Sequence, residues 1–429
     1  MIHDGSCECM MGSVDLFSTP PTQTSILQRS KVEFHPVANV SDSGPIEFYI
    51  SPCDEDYFDL SDHTLELQCK IVKLDGTSLP ADAHVGFVNH PLHSLFSQVD
   101  VHLNEKLITI PSNTYPYKAY LEKFLTYGPH ARKSQFSCEL FVKDSAGKMD
   151  AVDGTNKGLN ERSGYTKESK SVTLRGSLHV ELFRQERFLI NKCNLRIKLI
   201  PHDRKFYIMG KEDGYKVKIE SARLEVMKVK MNPSVLNDHS LRIMKSTVKY
   251  PVRRSEIKSF SIPSGNLSTV KESLFSGQVP RRLIIGLLDS KAVTGDVKKN
   301  PFNFQHFSLN YLCCHVNGDR IPNRALTPDF TNGNFVRAYE TLFTGMGIRN
   351  EDKSVEVRRV EYAEGYTLYI LRLCAGEADS IAYDLVQNGT VRLEMKFKTP
   401  LPTTVTALVY AEFDNIIEID RDRNVILDY

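Results

Sequence analysis

At 429 residues the chain is long enough for two or three domains, each with its own core. Charged residues make up 25% of it yet sum to +1, so no global field recruits nucleic acid or acidic lipid, and any genome contact has to be local. Its nine cysteines, an odd number with no CxxC pair, together with the lack of a signal-peptide core near the N-terminus, point to a compartment where thiols stay reduced; the longest apolar or glycine run, Leu283 to Leu288, is too short for a membrane helix.

Residues 1 to 13 are polar and without period, which predicts an arm with no core of its own. Pro20 and Pro21 keep the following segment extended. Short apolar runs at Val32 to Phe34 and Ile46 to Ile50 predict strands, and Leu65, Leu67, Cys69 and Ile71 alternate with polar residues as in a half-buried strand. Residues 93 to 128 begin with the alternation Val99, Val101, Leu103 and turn at Asn104 and Glu105. The period then changes: Tyr117, Tyr120, Leu121, Phe124 and Leu125 form one stripe of a short helix that Gly128 and Pro129 end. Residues 144 to 171 offer little to bury and predict a long surface excursion. Strands are expected again at Leu178 to Leu182 and Leu195 to Leu199. Across Val217 to Val226 the apolar phase slips, which predicts a bulge near Ser221 to Arg223.

Residues 231 to 245 read as a connection, after which the same grammar returns. Val248 to Val252, Leu283 to Leu288, Val355 to Val360, Leu368 to Leu373, Val391 to Phe397, Val405 to Phe413 and Ile416 to Ile419 all carry strand patterns. Residues 304 to 347 repeat the order Phe-Ser, strand, Asn turn, Ile-Pro segment and helix already met at 93 to 128. Lys118, Ala119, Tyr120, Phe124 and Gly128 fall on Arg337, Ala338, Tyr339, Phe343 and Gly347 at a constant offset of 219 (337 − 118), about half the chain. Many short strands, one short helix per half and no helix after each strand predict an all-β fold of two tandem antiparallel eight-stranded jelly-roll sandwiches. The expected division is an N-terminal arm at 1–25, a first jelly roll at 26–232 and a second at 233–429.

Barrels of this kind also house metal enzymes, so ligand sets matter. His179, Glu181 and His239 resemble a 2-His-1-carboxylate set for Fe(II), while His90 and His93 flank Pro91 with no carboxylate at ligand spacing; wet strand faces and loops commonly carry such residues without a metal. Cys7 and Cys9 read as plain thiols, Cys313 and Cys314 point to opposite faces of a strand, and the acidic group Asp54, Glu55, Asp56, Asp59 and Asp62 lacks the spacing of a calcium loop. No nucleophile elbow or phosphate loop is present, so neither a catalytic site nor a bound cofactor or metal is expected. Two basic doublets, Arg253 with Arg254 and Arg281 with Arg282, are candidates for pairing with a neighbouring acidic surface.

Three blocks, LFSTPPTQTSI (16 to 26), HPLHSLFSQVDVHLNEKLI (90 to 108) with YPYKAYLEKFLTYG (115 to 128), and YAEFDNIIEIDRDRNVI (410 to 426), resemble the major capsid protein of Polinton (Maverick) elements and the related adintoviruses. The likeness runs over nearly the whole chain from about residue 14. It implies a double jelly-roll, non-enzymatic shell subunit that homotrimerises into a pseudo-hexagonal capsomer and builds an icosahedral shell around a DNA genome. The implied partners are further copies of the chain and a penton or minor capsid protein, without sequence-specific nucleic-acid binding. The implied location is the virion, assembled inside the host cell without secretion by a signal peptide. Residues 144 to 171 would be the main outward insertion. A tandem-barrel metalloenzyme of the bicupin or Fe-oxygenase kind, using His179, Glu181 and His239, and a lectin-like binding module are the alternatives.

Overall fold

A computed structural model describes residues 19, 22–41, 44–374, 376 and 382–428. The arm expected at residues 1 to 13, with Cys7 and Cys9, lies outside them.

Eight strands of the first half are β1 (Ile26–Phe34), β2 (Ile46–Ile50), β3 (Asp56–Lys73), β4 (Phe96–Leu103), β5 (Lys106–Leu107), β6 (Val172–Gly176), β7 (Leu195–Pro201) and β8 (Tyr215–Met231). They form two antiparallel sheets, ordered β1-β8-β3-β6 and β2-β7-β4-β5. The second half supplies β9 (Val248–Ile262), β10 (Ser268–Gln278), β11 (Arg282–Asp289), β12 (Leu309–Val316), β13 (Asp319–Leu326), β14 (Leu368–Arg372), β15 (Asn388–Phe397) and β16 (Val405–Ile419). Their sheets run β9-β16-β11-β14 and β10-β15-β12-β13. Adding eight to each label of the first half gives the second. Both halves therefore have one topology, with first strand beside last and second beside seventh, the double Greek key of a jelly roll. Short additions, Val85–Phe87 paired with Ile208–Gly210 and Val425–Leu427 paired with β16, decorate this frame.

Alternation explains the strands that carry water on one face. In β15 Val391, Leu393, Met395 and Phe397 are buried while Arg392, Glu394 and Lys396 point away from the core. The phase slip in β8 is a bulge, since Ile219 faces Cys69 and Ser221 faces Gln68, leaving Glu220 unmatched. The repeated stretch is the β4–β5 hairpin and its counterpart β12–β13. Each turns on a left-handed pair, Asn104 (φ 46) with Glu105 (φ 65) and Asn317 (φ 53) with Gly318 (φ 97), as two-residue hairpins of right-twisted strands require.

Four longer helices lie outside the sheets: α1 (Tyr115–Thr126), α2 (Lys157–Thr166), α3 (Pro233–Ile243) and α4 (Val336–Thr344). Helix α1 follows the first hairpin and α4 the second, so both predicted helices occupy the same topological place. Their surroundings differ. Tyr120 of α1 stacks on Phe302 at 4.2 Å, and Phe124 on Tyr366 at 5.4 Å, both from the second half; Tyr339 and Phe343 of α4 are half-buried, Phe343 against Tyr339 and Tyr339 against Tyr362 of their own half. The sheet containing β11 and β16 is consequently covered on both faces. Its strands are near-continuous apolar runs, Leu283 to Leu288 and Val405 to Ala411, because alternation is lost where neither face is wet.

Three expectations fail. Residues 144 to 171 are only in part a solvated excursion: half of them are exposed, but they contain α2, and Arg162, Asp144, Asn156, Met149 and Leu159 are buried there. The buried polar groups of the segment bind one another inside the protein. Leu178, Val180 and Leu182 are buried but lie in an irregular stretch and a single 3-10 turn, and Val355, Val357 and Val360 lie in a loop and a four-residue helix. There Leu178, Val180, Leu182, Val355 and Val357 anchor irregular chain to the core without strand pairing, while Val360 is exposed. Nor does each half hold one helix, since α2 and α3 add to the repeated pair. Among the described residues no helix is long and apolar enough to cross a membrane.

Candidate functional site

The 2-His-1-carboxylate set does not assemble. His239 sits on α3, where Nδ1 meets the Tyr57 hydroxyl at 2.9 Å, and Glu181 accepts hydrogen bonds from the Ser255 backbone at 3.1 Å and hydroxyl at 3.0 Å. Glu181 thus joins the two halves through β9, with Lys118 of α1 as its counter-charge. His179 goes elsewhere.

It meets His90 and His93, the pair that flanks Pro91. The loop between Phe87 and β4 places His90 at φ 57 and then makes a single helical turn, so both imidazoles point inward. His179 comes from the segment after β6. One ligand-capable atom from each of the three falls within 4.8 Å of the others, and all three side chains are buried. Helix α1 and the turn at Gln135–Glu139 surround them. Glu139 accepts from His90 Nε2 at 2.8 Å and from Lys123 Nζ at 2.7 and 2.9 Å, and it lies 3.8 Å from His93 Nε2. His179 Nδ1 donates to Glu122 at 2.7 Å, and Arg184 pairs with the same carboxylate at 2.6 Å. His93 Nδ1 lies 2.8 Å from the Tyr115 hydroxyl. His90 Nδ1 and His93 Nε2 have no hydrogen-bond partner.

Burial disfavours imidazolium, pushing His90 down to about 3 and lowering His93 and His179 as well. Burial works to raise Glu139, but the hydrogen bond from His90 and the Lys123 charge hold its carboxyl well below the usual range. Burial likewise lowers Lys123, against the attraction of Glu139. The result is three neutral imidazoles beside an ionised carboxylate. Sequence reading picked out all three histidines but did not unite them, and it passed over Glu139, Lys123 and Glu122. The spacing of His90 and His93 was a partial signal. Their third partner is close only in space.

The other candidates are ordinary. Asp56 pairs with Lys228 at 2.7 Å, Asp59 with Arg29, and Asp62 with Lys31 at 3.5 Å, so these three members of the acidic group are matched by cations of β1 and β8. Cys313 and Cys314 are both buried, the first under β13 and the second in the core. Arg254 donates to Asn415 at 2.9 Å and lies 4.2 Å over the Phe413 ring. Arg281 approaches Asp384 at 3.4 Å and Asp414 at 3.6 Å, and Arg282 grips Glu412 with a contact of 2.6 Å. Arg253 reaches 4.0 Å from Asp414 with its side chain 45% exposed.

No family model matches the chain. Over 427 residues it is 29% identical to an uncharacterized protein of Caenorhabditis elegans, covering 95% of this chain and 99% of that one. Its fold is that of the double jelly-roll major capsid proteins of virophages and large DNA viruses. A chain of the Sputnik virophage particle matches with a TM-score of 0.65 and 12% identity, covering 98% of this chain and 92% of that chain. The Faustovirus major capsid protein matches at 0.60 and 9% identity, over 94% and 92%. The mavirus major capsid protein matches at 0.50 and 12% identity, over 96% and 97%.

Proposed function

We propose that the chain is a non-enzymatic major capsid protein of the Polinton (Maverick) or adintovirus kind, which homotrimerises into pseudo-hexagonal capsomers and closes an icosahedral shell around a DNA genome. The observation that carries this is the duplicated strand order. Two jelly rolls of one topology fill the chain, and the likeness to capsid proteins spans its whole length rather than one barrel. An almost full-length relative in a nematode suits a gene carried by an element resident in animal genomes. The proposed units are an arm at 1–25, a jelly roll at 26–232 and a second at 233–429. Within the shell each chain meets other copies and a penton or minor capsid protein, and the location is the virion. Near-zero net charge lets identical copies pack without long-range repulsion. Of the four arginines put forward for contacts between subunits, Arg253 has the most exposed side chain, and all four already have partners within the chain.

Electron microscopy of the purified protein tests the proposal. Trimers with six-sided outlines or closed particles are expected, each subunit contact burying more than about 1,000 Å². Monomers that persist at high concentration would sink it.

A further inference from the structure

The three-histidine cluster has no part in shell assembly as proposed above, yet it is the most elaborate buried polar arrangement in the first jelly roll. We infer that His90, His93 and His179 form a site for one divalent late-transition cation of the zinc class, with the Glu139 carboxylate beside it as a source of negative charge.

Four observations carry this. Three imidazoles converge, each able to offer one ring nitrogen, with all ligand atoms inside 4.8 Å. Tetrahedral zinc with bonds of about 2.0–2.1 Å needs them at roughly 3.3 Å, so a contraction of about 1.5 Å completes the set. Two ring nitrogens, His90 Nδ1 and His93 Nε2, are buried without any partner, and the second faces Glu139 at 3.8 Å. A polar atom left in that condition costs stability unless something binds it. The imidazoles are also oriented from outside: His179 Nδ1 is held by Glu122 and His93 Nδ1 by Tyr115, the outer partners that ligating histidines ordinarily have. Finally, a small cavity of ≈ 30 Å³ at the seam between the halves, lined by Tyr115, His179 and Ser255, borders the cluster on its His179 side and is large enough for one water.

Charge makes the inference demanding. Glu122 and Glu139 are already matched by Arg184 and Lys123. A dication raises the total charge, and Lys123 competes with it for Glu139, so removing the Lys123 charge tightens binding.

The test uses the full-length purified protein, stripped with a chelator and titrated with zinc chloride and separately with cobalt chloride. One equivalent of zinc per chain, a raised melting temperature and the visible bands of four-coordinate cobalt are expected. His93→Gln and His179→Gln should each weaken zinc binding by roughly tenfold or more, and Lys123→Met should tighten it by a similar factor. Folded wild-type protein that takes up less than about a tenth of an equivalent from a micromolar excess of zinc overturns the inference. Full uptake by the His93→Gln/His179→Gln double variant overturns it too. If the histidine variants do not fold, the cobalt spectrum of the wild type decides: absence of those bands in folded protein counts against the site.

Discussion

Arg162 has its whole guanidinium inside the protein, and its replacement gives the sharpest test of how the halves are joined. Its Nε donates to the Phe87 carbonyl at 2.9 Å, Nη1 to Val142 at 2.7 Å and Nη2 to Asp144 Oδ1 at 2.7 Å. Asp144 in turn accepts from Asn156 at 2.9 Å and, across the seam, from Asn300 at 3.0 Å, while the Tyr366 hydroxyl donates to the Asp144 carbonyl at 2.7 Å. Arg162→Ala removes a donor from two carbonyls and strips the buried Asp144 carboxylate of its counter-charge, leaving it only the Asn156 and Asn300 amides. Breaking a buried ion pair by removing one partner costs about 3–5 kcal/mol, which corresponds to a factor of about 150 to 5,000 in the folded ratio. Urea unfolding followed by far-UV circular dichroism measures it, since the chain has no tryptophan. The double variant Arg162→Ala/Asp144→Ala should lose less than the sum of the single losses, because the second removal relieves the charge stranded by the first. Limited proteolysis of Arg162→Ala should also cut near residues 144 to 171 sooner than in the wild type. A single loss below about 1 kcal/mol, or strict additivity, would refute the idea that this network is satisfied and shared between the halves.

Further outcomes follow from the same contacts. His63 is 4% exposed, lies near the Leu60 carbonyl through Nδ1 at 2.6 Å and accepts from Leu178 N at 2.7 Å; burial lowers it to about 4. Because its folded value is below that of the unfolded chain, its contribution is intact above about pH 6.5 and is lost as pH falls toward 4. The loss is about 2 kcal/mol at pH 5, and urea midpoints against pH should flatten by that amount in His63→Gln. Phe124→Ala should cost about 3–5 kcal/mol and Phe343→Ala less than half of that, as thermal unfolding would register, because only the first fills the seam. Gly286→Ala would set a methyl 2.5 Å from the Phe304 ring and 3.0 Å from Leu368, costing about 1–3 kcal/mol by the same measurement; no loss at all would mean that β11 has room the packing denies.

The strands were legible wherever one face of a sheet is wet, as in β3, β4 and β15, since alternation is the direct imprint of that environment. The duplication was legible too, because the Asn turns and the stripe Tyr120–Phe124, repeated as Tyr339–Phe343, record a local geometry that recurs. What each copy touches was hidden. Phe302 and Tyr366 reach α1 only through the packing of one half on the other, and nothing near residue 120 announces them. For the same reason residues 144 to 171 looked solvated: Asp144, Arg162 and Asn300 are satisfied by partners far away in sequence, so each alone reads as a surface residue. His179 shares this, lying 86 residues beyond His93 (179 − 93), and the period-two spacing around it imitated a strand.

The seam itself has a consequence for assembly. With Tyr120 on Phe302, Glu181 on Ser255 and Asp144 on Asn300, the angle between the two barrels is set inside one folded chain. In a ring of barrels built from three such chains, every second joint is made during folding, at no cost in concentration. Association then has to immobilise three bodies rather than six, and each body spared avoids about 4–15 kcal/mol of lost translational and rotational freedom. A tandem chain with a tight internal seam is therefore a way to reach near-six-fold order at concentrations where separate barrels would stay dispersed.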